Sequence, residues 1–161
     1  MIQLIEVKNL SVAFYELLAL LVFYSEIIFS SYQNPVAFFL DGFLNKKNIP
    51  IAAYSITQNS KEYFGFVVLC DFKKISDKNF TCSFYGGAKR GFALQIEQSL
   101  LFILDDLKLK GCKGVWIETK KNNRPMRHLA QRLGFRKVGE KFAAGMEKGN
   151  LVSNIIYEKV L

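Results

Sequence analysis

Two short stretches hold the residues whose types and spacing could do chemistry. The first is Phe84-Tyr85-Gly86-Gly87-Ala88-Lys89-Arg90-Gly91-Phe92-Ala93. An apolar run ends, a glycine-bearing loop follows, and helical spacing begins. A helix N-terminus carries unpaired N–H groups and the positive end of the helix dipole. Gly91 lets the backbone come close to a ligand, and Lys89 and Arg90 add positive charge. This is a generic site for an anion such as a pyrophosphate. It lacks the spacing of a nucleoside-triphosphate loop, and glycine turns before ordinary helices are common.

The second stretch is Asn122-Asn123-Arg124-Pro125-Met126-Arg127-His128-Leu129-Ala130-Gln131-Arg132-Leu133-Gly134-Phe135. Asn123 reads as an N-cap, Pro125 falls in the first turn, and Gly134 stops the helix. By itself this is a well-formed helix and nothing more.

The elements that must position these stretches follow from periodicity. Ile2 to Val7 reads as a strand. Ser11 to about Ser31 reads as one or two core helices with Ser11 as cap, broken at Asn34-Pro35. Val36 to Leu44 is a short apolar piece. Ile49 to Thr57, Tyr63 to Phe72 and Phe80 to Tyr85 are rich in aromatic and β-branched residues and predict an antiparallel meander, with Gly86-Gly87 breaking its third strand. From Gly91 to Leu109, Phe92, Ile96, Leu100 and Ile103 recur at helical spacing. Val115 to Thr119 predicts a strand, Arg124 to Leu133 a helix, and Val138 to Phe142 and Leu151 to Val160 two final strands. The expected fold is α+β in one domain over residues 1–161, a mixed sheet with order β-αα-βββ-α-β-α-ββ.

Together the two stretches resemble the Gcn5-related N-acetyltransferase (GNAT) family. That family's cofactor loop reads Q/R-x-x-G-x-G/A, and here Gly91 and Ala93 match while Ala88 stands at the leading position. Its next helix often reads N-x-x-A-x-x-L-Y-x-x-x-G-F, and Asn123, Leu129, Gly134 and Phe135 match in register. Val138-Gly139 looks like the usual continuation. The resemblance implies a mostly antiparallel mixed sheet flanked by helices, and transfer of an acyl group, acetyl by default, from acetyl-CoA or another acyl-CoA to an amine. It implies that backbone amides of Lys89, Arg90, Gly91, Phe92 and Ala93 hold the pyrophosphate. Strand backbone at Ser83, Phe84 and Tyr85 would pair with the pantetheine, and Asn123 would contact the same arm. The acceptor would be a small-molecule amine or a protein amine.

One departure bears on catalysis: the family's frequent acid, a tyrosine, falls at Ala130. His128 is no replacement, because it lies about 200° around the helix from Ala130. Glu118, near the end of the fifth strand, is the candidate catalytic base. Glu62, Tyr63 and Tyr85 are lesser options.

Composition narrows the rest. The net charge is +8, with basic residues crowding the last third. Such a balance attracts anions without naming them. It keeps open a second reading, a catalytically silent GNAT-like module engaging nucleic acid or an acidic protein. Neither an RNA-binding aromatic motif nor a helix-turn-helix signal supports nucleic acid as a partner. Cys70, Cys82 and Cys112 are far apart and His128 is the only histidine, so no metal site is expected. An odd cysteine count without a leader suggests reduced thiols in a cytoplasmic protein. Val12 to Phe29 nears the length of a membrane span, but Glu16 and Glu26 lie inside it, which favours buried helix over anchor. Its apolar surface could instead join two copies in a homodimer.

Overall fold

The computed structural model describes residues 1–23, 35–147 and 149–161. The elements are β1 (Ile2–Glu6), α1 (Val12–Phe23), α2 (Pro35–Leu44), β2 (Ile49–Ile56), β3 (Lys61–Lys74), β4 (Phe80–Ala88), α3 (Ala93–Leu109), β5 (Cys112–Lys120), α4 (Arg124–Arg132), β6 (Arg136–Glu147) and β7 (Asn150–Val160). The strands form one sheet in the order β1-β2-β3-β4-β5-β7-β6. All neighbours are antiparallel except β4 and β5, which run parallel. The predicted element order stands.

β3 is buried along most of its length because helices cover both faces of the sheet. Alternation along the strands divides the side chains between two cores. On the front face, Phe14, Leu17 and Leu21 of α1 and Phe39 of α2 pack on Ala52, Phe66 and Val68. On the back face, Leu100, Ile103, Leu104 and Leu107 of α3 and Ala130 of α4 pack on Val67, Cys82, Phe84, Val115 and Ile117.

Several boundaries differ from expectation for physical reasons. Gly86 and Gly87 do not break β4. They continue it, opposite Val67 and Phe66. A Cβ on Gly86 would lie 2.4 Å from the Phe66 carbonyl oxygen, so the glycine permits close approach of two strands. The third helix begins at Ala93, because Gly91 adopts φ +94 and cannot be its first turn. The piece after Asn34 is a helix from Pro35. β6 is far longer than its apolar centre, and it shifts register between Lys137 and Gly139 and between Lys141 and Gly145. Ser11 caps α1 as expected, its hydroxyl accepting from the Phe14 N–H. α1 spans only Val12–Phe23, about 18 Å of helix. The remainder of the predicted segment lies outside the described residues, and among those described no helix is long and apolar enough to cross a membrane.

Candidate active site

β4 and β5 pair only over Phe80–Ser83 against Cys112–Trp116. Beyond Ser83 each keeps its outer partner: β4 stays on β3 through Ala88, and β5 stays on β7 through Lys120. The two inner edges therefore part, and the backbone of Phe84–Ala88 faces that of Ile117–Lys120 across a V-shaped opening. Every second residue of β4 turns its N–H and C=O away from β3 and into this gap. An unpaired strand edge of this kind pairs with an extended ligand that carries amides.

The mouth of the opening is the β4–α3 loop. α3 has no side-chain N-cap. Its first internal bond is donated by Ile96 to Phe92, so the N–H groups of Ala93, Leu94 and Gln95 have no helical acceptor. Arg90 and Gly91 add two more amides that no backbone bond engages among the described residues. A Cβ on Gly91 would meet nothing within 4 Å. Five donors, a helix dipole and two exposed basic side chains converge here.

Two of the expected amides do not join this set. The Lys89 N–H is donated to the Phe64 carbonyl at 2.7 Å, and the Phe92 N–H closes a turn onto Lys89 at 3.3 Å. Both residues instead fasten the loop to the sheet. The Phe92 ring stacks on Phe64 at 5.1 Å, and the Lys89 ammonium lies 5.7 Å from the centre of the Tyr63 ring.

Ser83 closes the bottom of the V and is buried. Phe84 points to the back core, edge-on to Phe135, whereas Tyr85 points forward against Phe38. Asn123 stands where β5 hands over to α4. Its Oδ1 accepts from the Met126 N–H at 3.2 Å, and its own N–H reaches the Lys120 carbonyl at 3.0 Å. The side-chain oxygen is thus committed to the cap. At the other end of α4, Gly134 takes φ +81 and Lys159 donates to the Leu133 carbonyl.

Ala130 is fully buried in the back core. Ala130 holds the position of the family's tyrosine, and His128 is exposed. Glu118 alternates with Val115 and Ile117, so it lies on the front face beside the opening. Lys141 of β6 pairs with one of its oxygens at 2.6 Å, and the Asn154 amide donates to the other at 2.7 Å. Both supporting residues escaped the sequence reading. Asn154 left a signal there, a polar residue interrupting the apolar run of β7. Lys141 left none.

The lesser options separate by environment. Glu62 is exposed at the start of β3. Tyr63 is buried, and its hydroxyl has no hydrogen-bond partner among the described residues. Burial first, then the neighbouring Tyr54 and Glu16, push its pKa up, so it stays protonated. Tyr54 hydrogen-bonds Glu16, which accounts for a carboxylate inside the apolar α1. The three cysteines are free of disulfides and buried. Among the described residues no three His, Cys, Asp or Glu side chains gather as metal ligands would.

This architecture, with parallel strands splayed beside an uncapped helix N-terminus, is the fold of the GNAT acetyltransferases. An acetyltransferase from Salmonella typhimurium that modifies the N-terminal serine of ribosomal protein L7/L12 superposes with a TM-score of 0.73 at 14% identity, over 99% of this chain and 95% of that one. NAA60 of Arabidopsis thaliana, in complex with a bisubstrate analogue, gives 0.71 at 16% identity over 100% and 99% of the two chains. The ribosomal-protein-S5-alanine acetyltransferase of Vibrio fischeri gives 0.70 at 12% identity over 99% and 92%. No family model and no curated protein matches the chain. The likeness is one of fold.

Proposed function

We propose that the protein is an acyl-CoA-dependent N-acyltransferase that moves an acyl group, acetyl by default, onto the amine of a small molecule or a protein. The observation that carries this reading is the open β4 edge leading directly to the uncapped N-terminus of α3. The two fit the two halves of one ligand: an amide-bearing arm and a pyrophosphate. Amides of Arg90, Gly91, Ala93, Leu94 and Gln95 hold the pyrophosphate. The edge of β4 at Ser83, Phe84 and Tyr85 pairs with the arm, and Asn123 Nδ2 donates to it. The same fold in NAA60 of Arabidopsis thaliana, solved with acetyl-CoA, supports the assignment.

Bound acyl-CoA supplies an activated thioester carbonyl that an amine can attack without a covalent enzyme intermediate. The residues of this chain orient and deprotonate. Strand backbone fixes the arm, so that positioning supplies much of the rate. Glu118, oriented by Lys141 and Asn154, faces the front side, attracts the ammonium form of the acceptor and takes its proton, directly or through water. With Ala130 buried, α4 offers no acid at that position, and a proton for the leaving thiolate would come from water or another hydroxyl. A thiolate is a tolerable leaving group near neutral pH.

The buried Ala130 and the net charge of +8 also favour a second reading, a catalytically silent GNAT-like module engaging nucleic acid or an acidic protein. Calorimetry with acetyl-CoA, followed by a thiol-release assay over a panel of amines, separates the two. Saturable binding with amine-dependent thiol release supports the enzyme. Binding without release for any amine supports the silent module. No binding at about 1 mM acetyl-CoA by folded protein removes the enzyme, and salt-sensitive binding of DNA or RNA without acyl transfer supports the silent module. We further place a homodimer contact on the exposed side of α1, where Val12, Tyr15, Val22 and Phe23 are exposed. A monomeric mass by light scattering at high protein concentration would exclude it.

A further inference from the structure

A helix that covers a core with one face normally shows polar residues on the other. The inner face of α3 is as expected, with Leu100, Ile103, Leu104 and Leu107 buried. The outer face is not. Leu94, Leu101, Phe102 and Leu109 are 62%, 43%, 60% and 88% exposed. At about 100° per residue they fall, with Gln98 and Asp105, inside one stripe turned away from the sheet. The stripe runs for about 22 Å along the helix. Exposed apolar residues scattered singly are ordinary, but these lie in line and form a patch.

The charged residues that border the stripe are already satisfied. Glu97 pairs with Arg132 at 2.9 Å, and Asp106 pairs with Lys110 at 2.6 Å. Gln98 and Asp105 lie inside the stripe, and no side-chain bond engages either among the described residues.

The stripe is complementary to itself. Let a second copy of α3 lie antiparallel to the first, with the twofold axis between Leu101 and Phe102. Leu94 then stands opposite Leu109 of the other copy, and Leu109 opposite its Leu94. Leu101 and Phe102 meet their counterparts at the axis. Gln98 stands opposite Asp105, and Asp105 opposite Gln98, so an amide N–H can donate to a carboxylate at two symmetric points. A polar pair inside an apolar seam fixes its register. An isologous contact demands this reciprocity, in which residue i meets j and j meets i. A partner of any other kind does not. The area also suffices. The apolar side chains of the stripe expose about 450 Å² per copy, so a pair covers about 900 Å² before its rim is counted, close to the roughly 1,000 Å² of a specific interface.

We propose that α3 is a dimerisation helix, through which two copies of this chain pack antiparallel with Leu94 of each against Leu109 of the other and Gln98 of each bonded to Asp105 of the other. α3 lies on the back of the sheet, so this contact is separate from the one placed on α1. It stands whether or not the splayed strands hold acyl-CoA.

Sedimentation equilibrium of the full chain, beside its Phe102→Lys variant, tests the contact. The parent should associate. The variant should show half the parent's mass, because two lysines would face each other at the axis of a desolvated seam. Phe102 is exposed in the single chain, so the variant keeps its fold, which circular dichroism checks. Cross-linking then reads the register. In a chain carrying both Gln98→Cys and Asp105→Cys, oxidised glutathione should join two chains through disulfides between position 98 of one and position 105 of the other. Each disulfide formed reduces one glutathione disulfide to two thiols. Either substitution alone should link poorly, because like positions lie about 10 Å apart along the helix axes. Three results would each overturn the proposal: a monomeric parent at high protein concentration, a folded Phe102→Lys protein with the parent's mass, or single variants that cross-link as well as the double one. Should Phe102→Lys not fold, the parent's mass and the cross-linking decide.

Discussion

Asn123 carries two roles that substitution can pull apart. Its Oδ1 caps α4 through Met126, while its Nδ2 is the group assigned to the cofactor arm. Asn123→Asp keeps a cap oxygen and places a negative charge at a helix N-terminus, where it is favourable. Stability should hold or rise slightly. The same change removes the only side-chain donor and sets a carboxylate against an amide carbonyl. Loss of one such hydrogen bond, with a repelling charge in its place, corresponds to about tenfold weaker acetyl-CoA binding or more. Asn123→Ala removes cap and donor together. Loss of the cap costs about 1 kcal/mol. In a domain of this size that lowers Tm by about 2–4 °C. The assays are calorimetric titration with acetyl-CoA and thermal unfolding on the same three proteins. The expected pattern is Asp with full stability and weak binding, and Ala with reduced stability and weak binding. If Asp binds acetyl-CoA as tightly as the parent while Ala is destabilised, Asn123 is a cap and nothing more. If Ala melts with the parent, the cap argument itself is wrong.

The remaining predictions concern the walls of the site. Ala130→Tyr, which would restore the family's usual acid, should cost about 1–3 kcal/mol through overpacking without raising turnover; thermal unfolding and the thiol-release assay check both halves. Gly86→Ala should destabilise by a comparable amount, because its Cβ has the Phe66 carbonyl in its way, whereas Gly91→Ala should cost only the strain of a positive φ; denaturant titration ranks the two. Glu118→Gln should lower kcat by about a hundredfold or more, and Lys141→Met should lower it less, with acetyl-CoA affinity unchanged in both. Burial of Cys70 makes stability depend on alkaline pH. The folded thiol is raised from 9.0 to about 12, so the unfolded chain loses its proton first. The contribution is intact below about pH 9 and is lost as pH rises towards 12, and Cys70→Ala should flatten that decline in a series of melts.

The parts of this structure that the sequence discloses are those decided by local chemistry. Asn123, Pro125 and Gly134 mark both ends of α4, because capping and chain reversal depend on a few neighbouring residues. The alternating aromatic and β-branched runs disclose β2, β3 and β5 for the same reason. Gly86-Gly87 misleads, because a glycine that ends a strand and one that admits a neighbouring strand look alike until the neighbour is known. The charged ends of β6 hide because their pairing with β7 owes nothing to apolar periodicity. In the site, Gly91 and its uncapped helix can be anticipated from the loop. The splay cannot, since it is a relation between β4 and β5, which are far apart in the chain. Lys89 shows the cost of that gap: its amide is legible as an anion donor, yet the Phe64 carbonyl takes it. Glu118 was reachable by its place on a strand, and Asn154 left a trace as a polar break in β7, but Lys141 on β6 left none.

The central claim is that the splayed strands and the α3 N-terminus form one binding site for acyl-CoA. A backbone amide shift map during titration with CoA tests it most directly. The account predicts saturable shifts at Arg90, Gly91, Ala93, Leu94 and Gln95 together with Phe84 to Ala88, and little change at Lys46, Asn48 and Asp71. Saturable binding that leaves the loop and the β4 edge unmoved would contradict it, as would the absence of any binding.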